Sequence, residues 1–129
     1  MLTREEALDL FERRRDAWLK NDLDAYLALF APDVTFQSPA HKEQLRGREA
    51  FAALVRSSAA AIEPELFEFT QLAVHGEVVL AEWRITATHR ASGQRIAWWG
   101  MSVCTIRDGL IHNWREYWNP ADLVAPKAH

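Results

Sequence analysis

The segment W-R-E-Y-W near the end of the chain places Glu116 between Trp114 and Trp118. Because side chains alternate across a β-strand, these three residues are expected on one face. Asp108-Gly109, just before this segment, favours a two-residue hairpin turn, since both central positions of that turn need positive φ. A carboxyl group among indoles is a candidate general acid or base, because an apolar environment favours its neutral form.

The hairpin turns also predict which residues of the two preceding strands lie near Glu116. If Asp108-Gly109 are the turn residues, Glu116 pairs with Met101. A four-residue turn at 91–94 then places Arg84 opposite Met101. The predicted face contains Glu82, Arg84, Thr86, Trp99, Met101, Trp114, Glu116 and Trp118, and the opposite face contains Ala81, Trp83, Ile85, Trp98, Ser102, Cys104, Arg115 and Tyr117. A one-residue bulge in either hairpin would exchange these partners.

Two interpretations of the charged face remain open. In the first, Glu116 is the general acid/base of an aromatic pocket, and Glu82 and Arg84 tune or assist it. In the second, the face is partly solvated and Arg84 only forms a cross-strand ion pair, because structural ion pairs perturb charged groups as well.

Composition narrows the function classes. The 129 residues carry a net charge of −3, with 26% charged and 49% hydrophobic residues, which is ordinary for a globular protein. This mild acidity argues against a nucleic-acid or anionic-membrane surface, and no apolar run reaches membrane-spanning length. With one cysteine and no signal-peptide pattern, we expect a cytoplasmic protein that forms one domain over residues 1–129.

No metal or cofactor site is predicted, because the five histidines lack the spacing of metal-ligand motifs. Cys104 has apolar neighbours and is expected to be a buried small residue rather than a nucleophile. His41, in the loop before the third predicted helix, is either a proton-shuttling group or a solvated loop residue. The arginine run 13–15 lies among acidic residues and is expected on a solvated helix face.

Near Pro64, the spacing of the apolar residues changes from the three- and four-residue spacing of a helix to the two-residue alternation of a strand. A capping box at Thr3–Glu6 begins the first helix. The predicted helices cover Thr3–Lys20, a shorter segment that Asp22 caps and Pro32 closes, and Arg48–Ala61. The predicted strands cover Val34–Gln37, Phe67–Gly76, Val78–His89, Arg95–Arg107 and Leu110–Trp118, with a loop at Ser38–Gly47 and a tail from Asn119 that lies over the sheet edge or frays.

Three helices followed by a long antiparallel meander predict an α+β fold with the helices on one side of the sheet. Long strands that wrap helices curve, and the cleft under their concave face is the natural ligand site. Trp18 and Tyr26 follow helical core spacing but could reach this cleft. Six tryptophans exceed what packing needs, so we expect indole walls for a planar ligand on one face and a homodimer interface on the other, formed by Trp83, Trp98 and Tyr117.

Three segments resemble the SnoaL-like, nuclear transport factor two-like superfamily. They are Leu19–Phe36 (L-K-N-D-L-D-A-Y-L-A-L-F-A-P-D-V-T-F), Gly47–Phe51 (G-R-E-A-F) and Arg107–Pro120 (R-D-G-L-I-H-N-W-R-E-Y-W-N-P). The resemblance implies a cystatin-like α+β barrel: a cone-shaped, curved antiparallel or mixed sheet wrapped around three N-terminal helices. It also implies a pocket inside the sheet, with His41 at its mouth, and commonly a dimer.

The active-site residues of related proteins match this chain only in part. Ketosteroid isomerases carry an aspartate base at the position of Ser38, an acid near residues 100–103 and a tyrosine near Arg14, and this chain has none of the three. Limonene epoxide hydrolases and phenazine-biosynthesis A/B proteins carry an acid at the position of Glu116. The Arg-x-Asp pair of the epoxide hydrolases is reversed here as Glu82-Trp83-Arg84.

The resemblance therefore implies a cofactor-independent acid/base enzyme of the isomerase, cyclase, dehydratase or hydrolase type. Its ligand would be a small hydrophobic or aromatic metabolite, and its expected pocket residues are Trp18, Tyr26, His41, Trp99, Met101, Trp114 and Trp118. The alternative is a non-catalytic ligand-binding or dimerisation module, because no complete catalytic set of a related family is present.

Overall fold

The structure, a computed structural model, describes residues 2–41 and 43–123. It contains three α-helices, six strands and a final 3₁₀ turn: α1 Arg4–Leu19, α2 Leu23–Leu27, β1 Phe30–Gln37, β2 Leu45–Arg46, α3 Arg48–Ala61, β3 Ile62–His75, β4 Val78–His89, β5 Arg95–Arg107, β6 Leu110–Trp118 and the turn Pro120–Leu123. The strands form one mixed sheet in the order β2-β1-β6-β5-β4-β3. Among these described strands, only β1 and β6 pair in parallel.

The sheet is curved and open, and the helices pack against its inner face. This is the predicted α+β cone fold, so the fold class is confirmed. In the described part of the chain, no helix combines the length and the apolar character needed to span a membrane.

Helix α1 begins with the predicted capping box. The Thr3 hydroxyl accepts from the Glu6 amide at 3.1 Å, and the Glu6 carboxylate accepts from the Thr3 amide at 3.0 Å. This exchange satisfies two amides that have no partner within the helix. One stripe of the helix is buried, with the three- and four-residue spacing of a core-facing helix: Ala7, Leu10, Phe11, Arg14 and Ala17.

Several boundaries differ from the predicted ones. The second helix ends at Leu27, and β1 already begins at Phe30, because Phe30 is fully buried and pairs in parallel with Ile111 of β6. The predicted loop before α3 contains the short strand β2. Strand β3 runs through Pro64, which an edge strand tolerates beside the register shift found there. The tail packs as a 3₁₀ turn through Leu123, and residues 124–129 lie outside the described part.

The register around Glu116 differs from the predicted one by a single bulge. Arg107 pairs with Leu110 as predicted, but the register shifts after the Ile106–Ile111 pair, which leaves His112 as an extra residue on β6. Glu116 therefore pairs with Ser102 rather than with Met101. The slip of one residue changes the neighbours of every β6 side chain beyond the bulge.

The β4–β5 hairpin turns one residue earlier than predicted. Thr88 pairs with Arg95, and the His89 amide donates to the Gln94 carbonyl at 2.8 Å, so the turn is 90–93. Each β4 residue therefore pairs with a β5 residue two positions away from the predicted partner. Because side chains alternate, the new partner lies on the same face of the sheet as the predicted one. Arg84 thus pairs with Trp99 and still shares its face.

The inner face of β4 to β6 is built from alternate residues that pack under the helices: Val79, Ala81, Trp83, Ile85, Ala87, Ile96, Ser102, Cys104, Ile106, Ile111 and Trp114 are all buried. Cys104 is fully buried, as expected of a small core residue, and its burial raises the pKa of the thiol to about 12. The thiol is therefore protonated at neutral pH, which removes its nucleophilic form.

At Gly100, strand β6 comes so close to the backbone of β5 that only glycine fits. Gly100 pairs with Trp118, and a Cβ at this position would collide with the Tyr117 carbonyl oxygen and lie 2.9 Å from the Trp118 Cβ. The Trp83 ring would lie 3.1 Å from the added atom. Gly100 therefore allows two indoles of the inner face to pack over β5.

We expect Gly100→Ala to lower the free energy of unfolding by about 2 kcal/mol or more, because the added methyl group overpacks this contact. Urea denaturation followed by tryptophan fluorescence measures the change. The matched control is Gly76→Asn, since a Cβ at Gly76 would meet nothing within 4 Å and asparagine tolerates its φ of 63°. Equal stability of the two variants would contradict the overpacking explanation.

Candidate functional site

A cavity of about 330 Å³ lies between the inner sheet face and the helices. Its walls are mainly apolar, and its polar lining includes Arg14 from α1, Tyr26 from α2, His41 from the loop after β1 and Glu116 from β6. Trp18, Trp98 and Trp118 also line it. A mainly apolar cleft with a few convergent polar groups is the usual form of a small-molecule site.

Glu116 is held in place by its own strand. The Trp114 indole N–H donates to Oε1 at 2.9 Å, and the Trp118 indole N–H donates to Oε2 at 2.9 Å. Both donors lie two residues away, so the alternation of the strand brings them to the same face. An ionised carboxylate has about four lone-pair sites, so roughly two remain for other partners.

Arg14 lies beside this carboxylate in an aromatic cage. Its Nη2 is 4.0 Å from Glu116 Oε1, and its Cζ lies 4.1 Å from the centroid of the Trp114 ring. The same Cζ lies 5.3 Å from the ring centroid of Tyr26 and 5.4 Å from that of Phe67. Only 5% of Arg14 is exposed, and its charge is stabilised by Glu116 and by the ring faces.

Tyr26 completes the polar end of the cavity. The residue is buried, and this burial raises the pKa of its hydroxyl, with the Glu116 charge acting in the same direction. The Arg14 charge acts in the opposite direction but is the smaller effect. Tyr26 is therefore a neutral phenol at neutral pH and can donate one hydrogen bond.

Ser38 and His41 form a second polar element at the cavity wall. The Ser38 Oγ lies 3.1 Å from His41 Nδ1, and the Ala40 amide donates to the same oxygen at 3.3 Å. A second cavity of about 340 Å³ opens behind this pair. Ser38, His41 and Glu116 line both cavities, so these three residues separate the two spaces.

Comparison with known proteins shows the family. The family model of the SnoaL-like domain matches residues 11–114. The chain belongs to the SnoaL-like family. The resemblance that the sequence motifs indicated is thereby confirmed.

Individual relatives agree with this assignment. A steroid Δ-isomerase of Nocardioides simplex is 31% identical over 106 residues, which cover 81% of this chain and 82% of the relative. An LEH-like epoxide hydrolase of M. tuberculosis shares the fold with a TM-score of 0.77 at 24% identity, covering 92% of this chain and 86% of its own. A Bacillus subtilis protein assigned provisionally as an isomerase has a TM-score of 0.86 at 21% identity, covering 95% of this chain and 93% of its own.

The cavity of this SnoaL-like chain contains part of the predicted set. Glu116, Trp18, Tyr26, His41 and Trp118 line it. Trp114 lies directly behind them, fully buried beneath the Arg14 guanidinium.

The predicted grouping of Glu82 and Arg84 with Glu116 is wrong, because the bulge at His112 turns β6 over relative to β4 and β5. Glu82 lies on the outer face and accepts from the Thr70 hydroxyl at 2.6 Å. Arg84, also on the outer face, pairs with Glu68 at 2.7 Å.

The same register error exchanges the aromatic residues of the two faces. Trp99 and Met101, predicted in the pocket, are 67% and 40% exposed on the outer face. Trp83 and Trp98, predicted at an outer interface, lie on the inner face, where the Trp83 indole donates to Ser102 Oγ at 2.7 Å. Tyr117 is on the outer face as predicted.

Arg14 is the site residue that the sequence prediction missed, since the run 13–15 was assigned to a solvated face. The signal was present in the helical spacing, because Arg14 follows Leu10 and Phe11 by four and three residues on the buried stripe. Its neighbours Arg13 and Arg15 do point away from the core and form surface pairs.

We expect the ionisation of Tyr26 to occur above the ordinary range for tyrosine, because burial favours the neutral phenol. Since the folded-state pKa is raised, this contribution to stability is fully present below the unfolded-state pKa and is lost as the pH rises above it. Absorbance titration near 295 nm should show a late transition for one of the two tyrosines. Tyr26→Phe should remove that transition, and a transition that survives this change contradicts the assignment.

Proposed function

We propose that this SnoaL-like protein is a cofactor-independent enzyme that transfers a proton on a small apolar or aromatic metabolite, with Glu116 as the general acid/base. The observation that supports this most strongly is the position of Glu116, which is the carboxylate lining the cavity among the described residues. Its two oxygens are oriented by two indole donors.

The surroundings of Glu116 leave it in contact with the cavity. Arg14 lies 4.0 Å from the carboxylate, and the other walls of the cavity are mainly apolar. The indole N–H groups fix the carboxylate plane, and the free lone-pair sites remain for a substrate proton within hydrogen-bond reach. Proton transfer from a carbon acid to Glu116, followed by its return to another atom, needs no cofactor, and the Tyr26 phenol in the same cavity can donate to the enolate oxygen formed in between.

The steroid Δ-isomerase among the relatives supports an isomerase-type proton transfer. The volume of about 330 Å³ lies at the small end of the range for ligand sites, which favours a compact ligand. Ser38 stands where a ketosteroid isomerase carries its base, and its hydroxyl is bonded to His41. Glu116 on β6 is therefore a better candidate for the base of this chain than the residue at position 38.

We expect the protein to accelerate the exchange of the α-carbon protons of 2-tetralone, a compact apolar ketone, with deuterium from D₂O. Glu116→Gln should reduce the accelerated rate by about 10²- to 10⁴-fold, the usual contribution of a general base. Mass spectrometry of the recovered ketone measures the incorporation.

The matched control is Glu82→Gln, which removes a carboxylate on the outer face and should leave the rate unchanged. Ligand-binding measurements and far-UV circular dichroism establish that Glu116→Gln still folds. A Glu116→Gln variant that exchanges at the wild-type rate contradicts the assignment.

A non-catalytic ligand-binding module is the second candidate, and one observation favours it. Both Glu116 oxygens already accept from indoles and one lies beside a guanidinium, which is also the environment of a structural ion pair. In that case Glu116→Gln lowers the melting temperature, and the wild-type protein binds 2-tetralone without exchanging its protons.

We propose a homodimer through the outer sheet face, with a different set of residues from the predicted one. Trp99 and Met101 are neighbours on one face of β5, and Met101 pairs with Tyr117 of β6. These three side chains are 67%, 40% and 56% exposed, which is unusual for adjacent large apolar groups. Aromatic residues and methionine are enriched at protein interfaces.

We expect Trp99→Lys to convert the dimer into a monomer at micromolar concentration, because the charge would be desolvated at the centre of the interface. Light scattering during size-exclusion chromatography measures the molar mass. The control is His75→Lys, at an exposed end of β3, which should stay dimeric. A wild-type protein that is monomeric throughout contradicts the proposal.

A further inference from the structure

The Arg14 guanidinium carries buried donors that no described residue accepts. Its Nε and Nη1 are inaccessible to solvent and have no hydrogen-bond partner. Its Nη2 is 4.0 Å from Glu116 Oε1, which is an ion-pair distance but too long for a hydrogen bond. Nε and Nη1 thus have charge compensation from Glu116 but no hydrogen-bond acceptor.

The neighbours of Arg14 explain why the protein itself does not satisfy these donors. Glu116 is turned toward the indole N–H groups of Trp114 and Trp118, at 2.9 Å each. The remaining walls of the cage are ring faces, which stabilise the charge of a guanidinium but accept poorly from its edge. Buried donors without an acceptor are destabilising, and charged donors more so than neutral ones.

Arg14 also lines the cavity. Its Nε and Nη1 are covered by the side chains packed around them, so a bound acid reaches them by displacing those side chains. The charged and titratable groups that line the same space are Glu116, Tyr26, His41 and His89, and Arg14 is the permanent cation among them. His89 is already bonded to the Leu123 carbonyl at 3.2 Å. The cavity is therefore apolar along most of its walls and charged at one place, where Arg14 lies beside Glu116.

We propose that the ligand of this cavity is an organic acid with a compact ring body, and that its carboxylate is bound by Arg14 while its rings lie against the aromatic walls. This inference rests on the proposed ligand site and specifies its substrate class. A guanidinium matches a carboxylate because its donors form a planar fork that two oxygens can accept from together. A neutral ligand would offer those donors only uncharged acceptors, which form weaker hydrogen bonds.

The test compares 2-naphthoate with 2-naphthamide, which have nearly the same shape and differ in charge. Isothermal titration calorimetry of the wild-type protein should show that the carboxylate binds at least about tenfold more tightly, as expected for a charge-assisted hydrogen bond. Arg14→Met should abolish this preference. Arg14→Lys should keep part of it, because it retains the charge but loses the fork.

Arg13→Met is the matched control, since it removes the same charge from the adjacent position of α1 but lies on the exposed side, paired with Asp9. It should retain the preference for 2-naphthoate. Because an Arg14 variant can fail to fold, the wild-type melting temperature is a second readout. It should rise with 2-naphthoate and rise less with an equal concentration of 2-naphthamide.

Equal binding of the two probes by the wild-type protein overturns the proposal, and so does an undiminished preference in a folded Arg14→Met variant. Neither measurement depends on turnover. If the acid preference holds while deuterium exchange is absent, the substrate class stands and the enzymatic role of Glu116 fails. If exchange depends on Glu116 but the two probes bind equally, the enzymatic role of Glu116 stands and the proposed substrate class fails.

Discussion

The site depends on the double role of Trp114. The face of its ring lies 4.1 Å from the Arg14 guanidinium, and its indole N–H donates to Glu116 at 2.9 Å. A fully buried side chain thereby holds a cation and an anion in fixed positions beside an apolar cavity. Each charge would be costly to bury alone, and together they offset much of that cost. Trp118 holds the other carboxylate oxygen, so Glu116 cannot turn fully toward Arg14.

One extra residue decides which side of the sheet carries this arrangement. His112 bulges from β6, and beyond it the side chains of β6 lie over the inner residues of β5. Without the bulge Glu116 would share a face with Met101, and both would be on the outer face with Glu82 and Arg84. The bulge also increases the local twist of the strand, which suits a sheet that curves around helices. The same feature thus shapes the cavity and supplies its carboxylate.

The sequence was sufficient to predict the fold, because the signals of the fold are local or periodic. The capping box at Thr3, the turn at Asp108-Gly109 and the change of period near Pro64 each follow from a few adjacent residues. Register is different, since a bulge is set by competition between long-range pairings and leaves no residue type that marks it. Arg14 was missed for a related reason: charge composition predicted exposure, whereas its helical spacing predicted burial. The tryptophans were assigned to the wrong faces wherever the register was wrong.

The two charged groups of the cavity belong to different layers of the fold. The residue proposed for proton transfer and the residue proposed for ligand selection therefore lie on separate elements. Glu116 belongs to the sheet, where its geometry is fixed by residues two positions away on the same strand. Arg14 belongs to α1 and takes no part in any strand pairing. Under the function proposed above, such a scaffold keeps Glu116 as its proton-transfer group while residue 14 of the helix selects the ligand. The fold alone therefore does not set the substrate, and on this proposal the residue at position 14 does.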